Sequence, residues 1–225
     1  MSNLPYQDKA SRWSSHSRIA AHLETLPAQS KILDVGTASG MLARRSWTKP
    51  FRFFGIEAVQ EWAQIAAPFY ENLWICSLET APEEALCGYD AIVLGDVLEH
   101  MPAPEAALKK LVELQPAGCR FIISVPNVTN LYVRIHILMG RFDYAERGIL
   151  DRTHLRFFSR KTVQTLVYDA GLELLSIQVT PFPLELVSPF FTSAIGRLLH
   201  AALAQVTSLF PTLLGYQFIV ETKKP

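Results

Sequence analysis

Cysteine is scarce in this chain: Cys76, Cys87 and Cys119 are three in 225 residues. Their wide spacing forms no disulfide framework and no thiolate metal pattern, and a reducing, cytoplasmic setting is expected. Neither sign of charge is in excess. Lys+Arg and Asp+Glu stand at 21 each, so no overall field draws the chain to nucleic acid, whose phosphates need a basic surface. The opening Met-Ser-Asn-Leu-Pro-Tyr-Gln-Asp-Lys is polar and has no signal-peptide core. Internal repeats and low-complexity runs are missing too. His16, His22, His136 and His200 fall at no ligand spacing, so no metal site is expected. A single domain over 1–225 is expected, large enough for a substantial core.

The chain does contain a regular alternation. Strand-like apolar segments are expected at 32–35, 51–56, 73–76, 90–95, 120–125, 172–179 and 215–221. Helical patterns are expected at 8–25, 59–70 and 104–114, and in a segment capped by Ser159, carrying Val163, Leu166, Val167 and Ala170 and closed by Gly171. Strand and helix in alternation predict an α/β fold, a doubly wound and mostly parallel sheet with helices on both faces.

The sharpest signal is Lys31-Ile-Leu-Asp34-Val-Gly36-Thr37-Ala38-Ser39-Gly40. An apolar strand ends in an acid, and a glycine turn follows at once. A helix is expected over 41–47, its free N–H groups pointing back at the turn. Gly36 and Gly40 are expected to let the backbone approach a ligand closely. Asp34 beside the turn would repel a pyrophosphate and attract an ammonium or sulfonium group. Glu57, 17 residues after Gly40, closes the second strand, where an acid can accept both hydroxyls of a ribose.

These residues resemble the first motif of the class I S-adenosylmethionine-dependent methyltransferases, an acid, one residue, then G-x-G-x-G, with Ala38 in place of the middle glycine. The run Asp90-Ala-Ile-Val-Leu-Gly-Asp96-Val-Leu98-Glu99-His100-Met-Pro102 is similar to the family's D-x-x-x-x-x-D-x-L-E-H. The resemblance implies a Rossmann-like seven-stranded sheet with an antiparallel last strand, and S-adenosyl-L-methionine as cofactor. It assigns the cofactor to Asp34, Gly36, Thr37, Gly40, Glu57, Ser77, Leu78, Asp96 and Leu98. At the adenine position the family often carries Asp, where this chain has Ser77; the hydroxyl, Glu79 or the backbone would serve instead. Two rivals stay open on the residues alone, a nucleotide-dependent oxidoreductase and a methyltransferase-like module that binds without catalysis.

Two segments break the rhythm. Residues 127–158 form an over-long connection expected to lie as a lid over the carboxyl edge of the sheet. Its Gly140-Arg-Phe-Asp-Tyr and Gly148-Ile-Leu-Asp151-Arg-Thr-His154-Leu-Arg-Phe-Phe158 resemble a run in uncharacterised methyltransferases grouped with polysaccharide-assembly enzymes. Asp151 and His154 are close enough in sequence for the carboxylate to orient the imidazole as a base toward an acceptor hydroxyl. His154 and Arg156 could equally pin the segment to the sheet, and His100 is a second candidate base or an ordinary helix-start residue. Asn127 is expected at the ligand-binding edge, and Trp13 and Arg18 near the cofactor or in packing. The apolar segment 181–214 reads as a lid, a homodimer interface or a peripheral membrane contact, too interrupted for a membrane span. The expected acceptor is a small molecule or a saccharide or lipid-linked hydroxyl, not nucleic acid.

Overall fold

The computed structural model describes residues 11–225. Seven strands form one sheet: β1 (Lys31–Val35), β2 (Arg52–Glu57), β3 (Asn72–Ile75), β4 (Ala91–Gly95), β5 (Arg120–Pro126), β6 (Glu173–Thr180) and β7 (Gln217–Lys223). Their spatial order is β3-β2-β1-β4-β5-β7-β6. The pairs from β3 through β5 are parallel, and β7 runs antiparallel between β5 and β6. Each of the expected strands is present within two residues of its reading.

Strand residues alternate between two apolar layers, as a pleated sheet covered on both faces requires. Ile32, Val93, Ile122 and Ile219 share one cluster with Ile19 and Leu23 of α1 (Ser15–Leu23) and Ala66 of α2 (Gln60–Ala66). Leu33, Leu94, Ile123 and Val220 point the other way. They pack with Leu86 of α3 (Glu83–Leu86), Leu108 and Leu111 of α4 (Pro104–Glu113), and Val163 and Leu166 of the helix Arg160–Asp169. Helix α6 (Arg160–Asp169) starts at Ser159, whose side chain accepts from the Thr162 N–H while the Thr162 hydroxyl accepts from the Ser159 N–H. Gly171, at φ +82°, closes it.

One expected helix is absent. Residues 41–47 form turns, held by Arg44 N–H to the Gly40 carbonyl at 3.0 Å and Arg45 N–H to Leu42 at 3.3 Å. Leu42 and Trp47 still pack into the sheet, beside Phe51 and Phe53. Pro50 and the start of β2 at Arg52 follow too soon for a longer helix to form. The leading helix is shorter than read: α1 begins at Ser15, capped by Ser14, and residues 8–10 of the expected span lie outside the described residues.

Both long insertions rise from the carboxyl edge of the sheet. The one after β5 carries α5 (Leu131–Leu138) and a buried knot of Val133, Ile149 and Leu150. The one after β6 carries two 3-10 turns, Leu184–Leu186 and Pro189–Thr192, then α7 (Ala194–Leu209) and α8 (Pro211–Leu214).

Candidate active site

A cavity of about 780 Å³ opens along the carboxyl ends of β1, β2 and β4. Asp34, Gly36, Thr37 and Ala38 line it from the β1 turn, Glu57 from β2, Ser77 and Leu78 from the turn after β3, and Asp96, Val97, Glu99, His100 and Met101 from the turn after β4. From the insertion after β5, Glu146–Gly148 and Asp151–His154 also line it.

The turn after β1 is built by Glu57. Its Oε2 accepts the Ala38 N–H at 2.7 Å and its Oε1 accepts the Val59 N–H at 2.9 Å. Burial pushes its carboxyl above the ordinary range, and these backbone donors act against that shift. Gly36 and Ala38 both sit at positive φ, +72° and +46°. A Cβ on Gly36 would come within 2.8 Å of Val97 Cγ2, so this glycine is required by its own conformation and by the neighbouring turn. Asp34 is fully buried and accepts the Tyr70 hydroxyl at 2.6 Å; burial raises its carboxyl to about 7.

Several expected placements differ. Gly40 and Leu98 are not among the cavity's walls. A Cβ on Gly40 would press on Ala66 and Phe69, so this glycine serves the packing of the turn against α2. Leu98 is fully buried in the core, and Val97 and Met101 line the cavity instead. Asn127 does not line this cavity, although its neighbour Pro126 does. The Asn127 amide donates to the Thr212 and Gly215 carbonyls and its oxygen holds Thr129. Arg18 donates to Gln178 and lies over Trp13, away from the main cavity, whereas His16 and Ile19 of the same helix line it. Ser77 exchanges a hydrogen bond with Thr80.

The turn after β4 is strained and well tied. Asp96 has φ +57°, and its carboxylate accepts from Ser124 Oγ at 2.6 Å and from Gln217 Nε2 at 2.7 and 2.8 Å. The insertion is pinned to this turn through its backbone, with the Leu155 and Arg156 N–H groups donating to the Glu99 carbonyl. The Arg156 guanidinium donates to the Pro102 carbonyl.

That pinning brings His154 beside His100, ring centroids 4.9 Å apart. Asp151 does not orient His154 by a hydrogen bond. Its Oδ1 accepts from the Thr153 N–H and hydroxyl at 2.9 and 2.7 Å, because Thr153 is two residues away and fits that turn. Burial alone would raise the Asp151 carboxyl, but these bonds outweigh it and hold it below its ordinary value. His154 Nδ1 instead meets the Ile149 carbonyl at 3.1 Å, and His100 Nδ1 meets the Thr153 carbonyl at 3.2 Å. A carbonyl only accepts, so a neutral His154 carries its proton on Nδ1 and keeps its lone pair on Nε2, whereas His100 Nδ1 also lies 3.2 Å from the Thr153 hydroxyl, which can donate as well as accept. Burial holds His154 below the usual imidazole range, neutral at pH 7.

Glu99 completes the group and was not read as a site residue, since its place in the L-E-H run suits a helix start equally well. It is 1 % exposed, and neither carboxylate oxygen has a hydrogen-bond partner. Burial, with Asp96 nearby, raises its carboxyl far above the ordinary range. One ligand atom each from Glu99, His100 and His154 lie within 4.8 Å of one another.

A methyltransferase-domain family model matches residues 9–177. The chain is 30% identical over 159 residues to a mitochondrial ubiquinone biosynthesis O-methyltransferase of Mus musculus, covering 64% of this chain and 41% of that protein. It is 24% identical over 164 residues to a ubiquinone biosynthesis O-methyltransferase of Xanthomonas axonopodis pv. citri, covering 69% and 67%. This chain therefore spans less than half of the first of these relatives. In fold it is similar to a methyltransferase of Archaeoglobus fulgidus, with TM-score 0.64, 16% identity and 96% of each chain covered. Magnesium protoporphyrin IX methyltransferase of Synechocystis gives TM-score 0.62 at 15% identity, over 100% of this chain and 89% of that one. The strand order, the acid-led glycine turn and the match over three quarters of the sequence converge: the chain belongs to the class I, S-adenosylmethionine-dependent methyltransferase family.

Proposed function

We propose that this chain methylates a hydroxyl of a small molecule, a saccharide or a lipid-linked compound, using S-adenosylmethionine held in the cavity over β1, β2 and β4. The observation that carries this reading is the His100–His154 pair, two imidazoles in ring contact in the wall that Asp34 and Glu57 also line. The residues present suit the cofactor. Buried Asp34 and Glu57 offer carboxylate oxygens to a cationic amino-acid end and to ribose hydroxyls, and Leu78 offers an apolar wall to a base. When bound, the cofactor supplies an electrophilic methyl group. His154, with Nδ1 anchored to Ile149, would accept the acceptor's hydroxyl proton on Nε2, so that the oxygen could take the methyl group from the sulfonium while S-adenosylhomocysteine leaves. The O-methyltransferase names of the curated relatives support the choice of oxygen.

The test supplies the protein with methyl-labelled S-adenosylmethionine and a fractionated small-molecule extract. Label that survives alkaline hydrolysis is the expected ether; label released as methanol would mean a carboxyl ester and would overturn the choice of a hydroxyl.

The unpartnered Glu99 favours a second reading of the same group. A divalent cation on Glu99, His100 and His154 would compensate the buried carboxylate and acidify a bound hydroxyl directly. Loss of turnover in chelator, restored by manganese or magnesium, would select this reading over a free imidazole base.

A further inference from the structure

Helix α7 is built inside out. The face that packs on the protein is small and polar, with Gly196, His200, Ala204 and Thr207 buried. His200 there pairs with Glu185 at 3.3 Å, and a Cβ on Gly196 would strike the backbone of the turn at Pro189–Thr192. The outward face is apolar: Leu198 is 71 % exposed and Leu209 74 %, with Ile195 and Phe210 beside them. A helix stable in water alone carries the opposite pattern. Arg197 is its one charged residue.

The same insertion reaches the cavity, because Leu186, exposed on the turn Leu184–Leu186 that precedes α7, is one of the cavity's lining residues. It is also fixed to the other insertion. Asn127 and Asn130 donate their side-chain amides to the carbonyls of Thr212 and Gly215, joining the start of α5 to the end of α8. Helix α5 ends in a second exposed apolar tip, Ile137 and Leu138, the latter 86 % exposed. The insertion that carries this tip has an excess of positive charge: residues 127–158 hold five arginines (134, 141, 147, 152, 156) against three acids (143, 146, 151), and although Arg141 pairs with Asp143 and Arg152 with Glu146, two positive charges remain in excess in a chain that is neutral as a whole. Among the described residues no helix is long and apolar enough to cross a membrane.

We propose that α7 and the tip of α5 together dock this chain flat on a bilayer containing anionic lipid, with the cavity mouth at the lipid surface. Apolar side chains enter the acyl boundary, the arginines meet lipid phosphates, and an acceptor dissolved in the bilayer reaches the cavity without crossing water. An apolar rim with a basic surround is the composition of an interfacial element, whereas a face between two copies would set the arginines of each against those of the other.

The experiment is co-sedimentation of the full chain with vesicles of phosphatidylcholine alone or mixed with phosphatidylglycerol, together with its mass in solution by light scattering. A monomer that sediments with the mixed vesicles, and is released by salt, is expected. Leu198→Asp with Leu209→Asp should lower vesicle binding by about tenfold or more, and Arg134→Glu with Arg141→Glu should lower it selectively on the anionic vesicles. Both variants should bind S-adenosylhomocysteine as the parent does, which separates docking from the methyltransferase reading. A parent that stays in the supernatant, a double-leucine variant that sediments unchanged, or a dimer that Leu198→Asp dissociates would overturn the proposal, the last assigning the face to a second copy.

Discussion

The backbone N–H of Ala38 donates to Glu57 Oε2 at 2.7 Å, so the glycine turn after β1 and the acid that ends β2 form one structural unit. Glu57 thereby has two tasks, shaping the turn and offering its remaining lone pairs to the cavity. Glu57→Ala should weaken S-adenosylhomocysteine binding by about 1.5–3 kcal/mol and lower the melting temperature as well, because the Ala38 N–H loses its acceptor. The Ala38 N–H is half-buried, so the melting shift reads the lost hydrogen bond; calorimetry and a thermal melt on the same sample check both, and unchanged affinity would remove Glu57 from the site.

Ala38 stands at φ +46°, where a glycine is at ease. Ala38→Gly should leave the turn intact and raise stability by about 0.5–1 kcal/mol, as relieved backbone strain outweighs the freer unfolded chain. Denaturant unfolding measures it. A clear loss of stability would show that Ala38 is unstrained.

Asp34 gives a pH dependence whose sign is fixed. Burial raises its carboxyl from the model-peptide 3.8 to about 7, so the folded state binds a proton that the unfolded state has released. Its contribution to stability is therefore fully present below pH 4 and is lost as pH rises toward 7, at up to about 1.4 kcal/mol per pH unit. Asp34→Asn should remove that slope between pH 4 and 7 in the cofactor-free protein, seen as a difference from the parent in unfolding free energy. Parallel curves for the two proteins would mean that Asp34 is ionised throughout.

His154→Ala should leave S-adenosylmethionine affinity nearly intact and cut turnover by roughly 10²–10⁴, the contribution of a positioned general base. If turnover survives, the base is elsewhere, and the same substitution at His100 becomes the next measurement.

Much of this was legible in the residues. Strand periods and the Ser159 cap were read within two residues because local pattern and tertiary packing agree there. Asp34, Glu57 and Asp96 were legible from their places at strand ends. Missing from the sequence was what the third dimension adds. Tyr70 binds Asp34 across 36 positions, and Thr153 rather than His154 takes the Asp151 carboxylate. Glu99 looked like a helix start and became an unpartnered buried acid only when the insertion folded over it. The helix expected over 41–47 failed because propensity in a short segment yields to the closeness of the next strand. Leu199, Leu203, Val206 and Phe210 recur at helical spacing in and just after α7, yet three of the four are exposed, since periodicity identifies an apolar face without saying what covers it.

The most direct measurement is a crystal structure with S-adenosylhomocysteine bound, in which the distance from His154 Nε2 to the cofactor sulfur is read. The sulfur is expected in the cavity walled by Gly36, Glu57 and Asp96, with Nε2 within roughly 8 Å of it, room for one methyl group and one acceptor oxygen between them. A cofactor bound elsewhere, or a His154 ring turned away from the sulfur, would contradict it.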